Sequence, residues 1–137
     1  IQTMAIQPDG KILLAGYGND GNNYDNFLLV RLNTNGSIDS SFDGDGKLLI
    51  SVGSFNDRAY SIAIQSDGKV LLAGGSAKSY YNANFDFSVV RLHNNGSLDS
   101  SFGTNGKMLI PITFANDYVN SIAIQPDGKI LLAGKID

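Results

Sequence analysis

Aspartate is the only acidic residue in this chain: all 13 carboxylate side chains are Asp, Glu and Cys are absent, and the single histidine is His93. That inventory limits the chemistry. Without Cys or Glu there is no Cys–His nucleophile pair, no Glu acid or base, and no zinc cluster of ordinary ligand spacing. Two Asp side chains could serve a glycosidase, but nothing sets one pair apart from the rest. His93 follows a strand-like run at the point where an earlier copy of that run has Asn33, so it reads as a solvated surface position. Hard oxygen ligands at short spacing occur in Asp20-Gly-Asn-Asn-Tyr-Asp25 and Asp43-Gly-Asp45, which would suit Ca²⁺. Neither stretch has EF-hand spacing, and in the next copy Asp43 and Asp45 become Gly103 and Asn105. The sequence therefore assigns no cofactor, with Ca²⁺ at Asp20, Asp25, Asp43 and Asp45 as a weak alternative. Arg31 and Arg91 recur in one register and read as structural, bonded to carbonyls or to Asp39 and Asp99, with anion binding as the alternative.

These residues sit in a repeat. The string AIQPDGKILLAG begins at Ala5 and again at Ala123, with AIQSDGKVLLAG between them from Ala63, at spacings of 58 and 60 residues. A period of that size specifies a solenoid, a propeller or an array. Each copy divides into strand-like runs. In the second copy they are Ser61–Gln65, Lys69–Gly74, Phe87–Leu92 and Lys107–Ile110, and the first copy repeats the last two as Phe27–Leu32 and Lys47–Ile50. The first two runs are joined by Pro/Ser-Asp-Gly, a hairpin signal in which Asp9, Asp67 and Asp127 precede glycines able to turn left-handed (Gly10, Gly68, Gly128). Gly36 and Gly96 end the third run in a similar turn. Asp39 and Asp99 lie in the connection to the fourth run, where a carboxylate can hold backbone N–H groups while Phe42 or Phe102 packs inward. Runs such as Ile12-Leu-Leu-Ala15 are apolar on both faces, as in a sheet covered on both sides. With 16 Gly and no Glu, the expectation is an all-β chain with essentially no helix.

Four antiparallel strands per copy, buried on both faces by neighbouring copies, describe a β-propeller blade. The order A-B-C-D, A-B-C-D, A-B gives two blades (about 1–51 and 59–111) and a half-blade (about 119–137). Propellers have about four to eight blades, so ring closure needs further blades or another chain. The chain also starts inside the repeat, at Ile1, as a processed chain or a piece of a longer one would.

The pattern Gln-Pro-Asp-Gly-Lys-Ile-Leu-Leu-Ala-Gly, then Val-Arg-Leu-Asn-x-Asn-Gly-Ser-Ile-Asp-Ser-Ser-Phe, then Gly-Lys, resembles the delta-60 repeat, a β-propeller repeat of large bacterial proteins, many of them secreted or surface-attached. The resemblance covers nearly the whole chain. It implies a propeller fold and an extracellular or cell-surface location, and it brings no catalytic residues.

The copies agree in strands and turns and differ in the B–C loop, Tyr17–Asn26 against Gly75–Asp86. In a propeller this loop and the D–A loop emerge on one face. The ligand-rim candidates are therefore Tyr17, Asn22, Asn23, Tyr24, Asp25, Tyr80, Tyr81, Asn82 and Asn84, with Asn56, Asp57, Asn116 and Asp117 from the D–A loops. Asn56–Asp57 and Asn116–Asp117 also have a structural reading, as loop-holding pairs. Tyr and Asn combine flat apolar surface with hydrogen bonding, which suits sugars or protein partners. The formal charge of −3, with no Lys/Arg cluster, does not suit nucleic acid or an anionic membrane surface, and no apolar run nears the roughly 18 residues of a membrane span. The leading expectation is a non-catalytic scaffold or protein-interaction module. A carbohydrate-binding propeller is the alternative, and a polysaccharide-active enzyme comes third.

Overall fold

A computed structural model describes residues 1–19, 21, 23–78 and 84–137. Its ten strands are β1 (Thr3–Ile6), β2 (Ile12–Asn19), β3 (Asp25–Leu32), β4 (Lys47–Ile50), β5 (Asp57–Ile64), β6 (Val70–Ala77), β7 (Phe85–Leu92), β8 (Lys107–Ile110), β9 (Asp117–Ile124) and β10 (Ile130–Ile136). They form antiparallel sheets in the order β1-β2-β3-β4 and β5-β6-β7-β8, followed by the hairpin β9-β10. Among the described residues there is no helix, and so none long and apolar enough to cross a membrane. The all-β propeller expectation holds.

The hairpin turns follow the chemistry of their residues. At Gly10, Gly68 and Gly128 φ is 84, 84 and 85°, and each glycine N–H donates to the carbonyl of the Gln three residues earlier at 2.8–2.9 Å. The aspartates do more than tolerate the turn. Asp9, Asp67 and Asp127 accept the backbone N–H of Lys11, Lys69 and Lys129 at 3.1, 3.1 and 3.2 Å, tying the carboxylate to the start of the next strand. Gly36 and Gly96 lie at φ 85 and 94°, beside Asn35 and Asn95 side chains that accept from Ser37 and Ser97 N–H.

Apart from the four-residue β1, strands A, B and C run longer than the apolar pattern indicates. In blade 2, β5 begins four residues early, at Asp57, because Asp57↔Ser76 and Arg58↔Gly75 continue the ladder past the apolar stretch. The Gly-Gly-Ser-Ala end of β6 looks like loop in the sequence, yet all eight residues of that strand are buried. The extension brings a β-bulge: the register jumps between Ala59 and Ser61, leaving Tyr60 outside the ladder. The terminal hairpin has a matching irregularity at Ala133/Gly134.

The blades stack face to face. β5 packs over β1, β2 and β3, and β9 over β5, β6 and β7. Two apolar layers result, and the alternation of β6 separates them. Val70 and Leu72 join Leu13, Phe27, Leu29 and Phe42 of blade 1. Leu71 and Ala73 face the other way, onto Val119, Ile122 and Leu132 of the hairpin. Each buried Leu contributes about 2 kcal/mol. First strands pack on first strands (β1 on β5, β5 on β9), while β4 and β8 share no comparable contact, as in a wedge narrowing toward the A strands.

Candidate functional site

Three polar clusters recur or converge, and two of them hold the blades together. The first lies on the A–B/C–D face. Arg31 Nε donates to Asp39 Oδ2 at 2.7 Å, and Lys11 Nζ reaches the same oxygen at 2.8 Å. Ser41 donates to Asp39 Oδ1 through N–H and Oγ at 3.1 and 2.6 Å. The guanidinium lies 4.4 Å from the centroid of the buried Phe42 ring. Blade 2 repeats the arrangement with Arg91, Lys69, Asp99, Ser101 and Phe102. The Lys11 and Ser41 donors hold the Asp39 carboxyl well below the usual carboxylate range, and Ser101 heads the same effect at Asp99. Asp39 and Asp99 thus lock the C–D connection, and Arg31 and Arg91 are committed to them rather than open to an external anion. The lock also crosses blades: Arg31 Nη1 donates to the Asn94 carbonyl at 3.0 Å, and Gln7 Nε2 donates to Asn94 Oδ1. His93 Nε2 stands 3.9 Å from Asp99 Oδ1 with its side chain 48% exposed, a lock-edge surface position.

The second cluster lies under the opposite face. Asp57 is fully buried and accepts the N–H groups of Val52 and Gly53 at 2.7 and 2.9 Å. Asp117, equally buried, accepts Ile112 N–H, Thr113 N–H and Thr113 Oγ1. Burial pushes the Asp57 carboxyl up. Burial acts on Asp117 too, but the Thr113 and Ile112 donors outweigh it and leave that group below its ordinary value. Asn56 Oδ1 accepts Asp25 N–H at 2.9 Å and Asn116 Oδ1 accepts Phe85 N–H at 3.2 Å, joining each D–A loop to the preceding B–C loop or strand C. This corrects the rim expectation for four residues. Asp57 and Asp117 have no exposed surface, and Asn56 and Asn116 spend their side-chain oxygens inside the protein.

The third cluster borders the same face and, apart from the buried Phe85, is partly exposed. Tyr17, Arg58, Phe85, Tyr118 and Lys135 form a column from β2 to β10. The Arg58 guanidinium lies 5.2 Å from the Tyr17 centroid and 5.6 Å from that of Phe85. Phe85 and Tyr118 centroids are 4.9 Å apart, and Lys135 Nζ is 5.5 Å from the Tyr118 ring. Tyr60, aimed by the bulge, meets Tyr17 and Tyr118 at 6.3 and 5.9 Å, edge to face in both cases. Arg58 Nε donates to Asp25 Oδ2 at 2.9 Å. Burial raises the Tyr60 and Tyr118 phenols above their ordinary value, so both stay neutral hydroxyl donors near neutrality. Gly75 provides the space for Tyr118: a Cβ there would come within 2.7 Å of the ring.

Of the expected rim, Tyr17 and Asp25 belong to this column. Tyr24 packs edge to face on Phe55 at 5.1 Å, Asn84 donates to the Phe114 carbonyl, and Asn23 is an exposed loop residue at φ 68°. Asp20, Asn22, Tyr80, Tyr81 and Asn82 lie outside the described residues. The residues missed by sequence reasoning are Arg58, Tyr60, Phe85, Tyr118 and Lys135. As for Ca²⁺, Asp25 pairs with Arg58, Asp45 caps Lys47 N–H at 2.9 Å, and Asp43 is exposed at φ 50°. Among the described residues no three His, Cys, Asp or Glu side chains converge as metal ligands would.

A family model described as a β-propeller domain of unknown function (DUF5122) matches residues 7–42 and 65–102, more than half of the chain. Both stretches run from the A–B turn to the phenylalanine of the Asp lock. No curated protein matches the chain.

Proposed function

Since the chain belongs to the DUF5122 β-propeller family, we propose that it is a non-catalytic propeller segment serving as scaffold and interaction module of a larger bacterial protein at the cell surface or in the medium. The observation that carries the scaffold reading is the use of the repeated polar residues: Asp39/Asp99, Arg31/Arg91 and Asp57/Asp117 hold loops and neighbouring blades. The similarity to the delta-60 repeat supports the location.

Further blades as partners follow from the two ends. Met4 and Ile6 on β1 are 55% and 63% exposed. Their counterparts in the second copy, Ile62 and Ile64, pack against blade 1. Leu131 on β10 is half exposed, while its counterpart Leu71 is buried against the hairpin. The uncovered faces are therefore the two halves of the interface that the middle copy makes on its two sides, and a blade of this repeat fits either one. Electron microscopy of the full-length protein tests this. The expected result is a closed ring in which residues 1–137 form consecutive blades, with the protein released by surface proteolysis of intact cells or found in the medium. Separate, non-ring modules or a strictly internal protein would contradict it.

A further inference from the structure

We propose that Tyr17, Tyr60 and Tyr118, with the Arg58–Asp25 pair, form a platform that binds a neutral carbohydrate chain. The inference rests on the reading of the chain as an interaction module and gives that module a ligand class.

The cluster is not required by the blade. The Asp locks recur at the same register in both blades, but this set does not. The counterparts of Tyr17 are Gly75 and Lys135, that of Arg58 is Tyr118, and that of Tyr60 is Asn120. Blades fold with or without these side chains, so stacking explains why these positions meet but not why aromatic and charged residues fill them. The bulge at Ala59/Ser61 frees Tyr60 from the ladder and turns it onto its neighbours. All three tyrosines and Arg58 remain partly exposed, at the head of the A strands where blade 1, blade 2 and the hairpin meet.

The geometry selects the ligand. Successive tyrosines lie at 71° and 77° to each other, so partly exposed aromatic surface and phenol hydroxyls stand side by side along the row. A pyranose has the matching surface, apolar C–H faces with hydroxyls around the edge. Arg58 uses Nε on Asp25, so a planar donor group and a carboxylate stand side by side, as sugar hydroxyls require. The charges cancel locally: Arg58 is paired with Asp25, and Lys135 with Asp137 at 3.1 Å. A phosphate or uronate would find no uncompensated cation, which favours a neutral sugar.

The test is calorimetric titration of the full-length protein with cellohexaose, chitohexaose and maltohexaose, with a hexamer of galacturonic acid and a proline-rich peptide as comparisons. At least one neutral oligosaccharide should bind. Tyr60→Ala and Tyr118→Ala should each weaken it about tenfold or more, and Arg58→Gln should also weaken it. Tyr118→Phe should stay within about threefold, and Phe114→Ala, on a fully exposed ring, should change nothing. The platform is overturned if no neutral sugar binds to protein that assembles and melts normally, if the Tyr and Arg variants bind unchanged, or if only the uronate or the peptide binds. Hydrolysis of a bound sugar would overturn the non-catalytic reading and leave the platform standing.

Discussion

Gly74 faces the bulge in β5, and its missing side chain is what lets the two strands close there. A Cβ at this position would lie well inside van der Waals contact with the Arg58 carbonyl oxygen, 2.8 Å from Arg58 C and 2.9 Å from Ala59 Cα. All three atoms are backbone, so no rotamer change relieves the clash. Gly68→Ala is the natural comparison: φ is +84°, but nothing lies within 4 Å of the added methyl, leaving only left-handed strain of about 1 kcal/mol. Gly74→Ala should cost about 3 kcal/mol, the upper end of overpacking, since backbone must move and Gly74↔Ala59 pairing is disturbed. Amide hydrogen exchange in the full-length protein separates the two. Protection across β5 and β6 should fall by about two orders of magnitude for Gly74→Ala and about fivefold for Gly68→Ala. Equal effects would refute the bulge geometry and, with it, the placement of Tyr60.

Acid should destabilise the protein with a defined sign. Asp39, Asp99 and Asp117 are held below the ordinary value of 3.8, so their stabilisation is complete above that value and is lost as pH falls toward their folded-state values. Asp57 is raised and acts in the opposite sense, its protonation favouring the fold. Asp67 and Asp127 are lowered as well by their turn lysines, and with five groups against one the melting temperature should drop between about pH 4 and pH 2; a flat or rising profile would count against the locks. Leu72→Ala and Leu71→Ala should each cost about 3 kcal/mol, but at different places. Leu72 opens the layer between blades 1 and 2, whereas Leu71 opens the layer under the hairpin, so exchange in β9–β10 should rise markedly more in Leu71→Ala.

What the sequence made legible was local or repeated. Pro-Asp-Gly determines its own turn, and a strand alternating against neighbours of the same sequence declares both faces apolar. Lys11 and Lys69 were within reach of the same logic: a lysine follows each turn glycine, and Asp39 and Asp99 recur with it. Two things were hidden. The far end of β6 is Gly-Gly-Ser-Ala, whose composition suits a loop and which becomes strand only because β5 and β7 pair with it. Arg58 and Tyr118 share one repeat position, Lys135 and Phe85 repeat the positions of Tyr17 and Asp25, and only the side chains differ, so the repeated motifs do not announce them and blade stacking brings them together on four strands. Non-repetition inside a regular repeat was the available signal, and it was visible for the B–C loop but overlooked at the start of the A strands.

We propose that these ten strands are part of a larger ring. Light scattering and thermal unfolding of residues 1–137 alone, at micromolar concentration, address it directly. With Met4, Ile6 and Leu131 uncovered and β10 an unpaired edge, the isolated chain should run above monomer mass or melt broadly, because a two-stranded hairpin is marginal in water and an open edge recruits other chains. A compact monomer with a sharp, cooperative melt would contradict the claim.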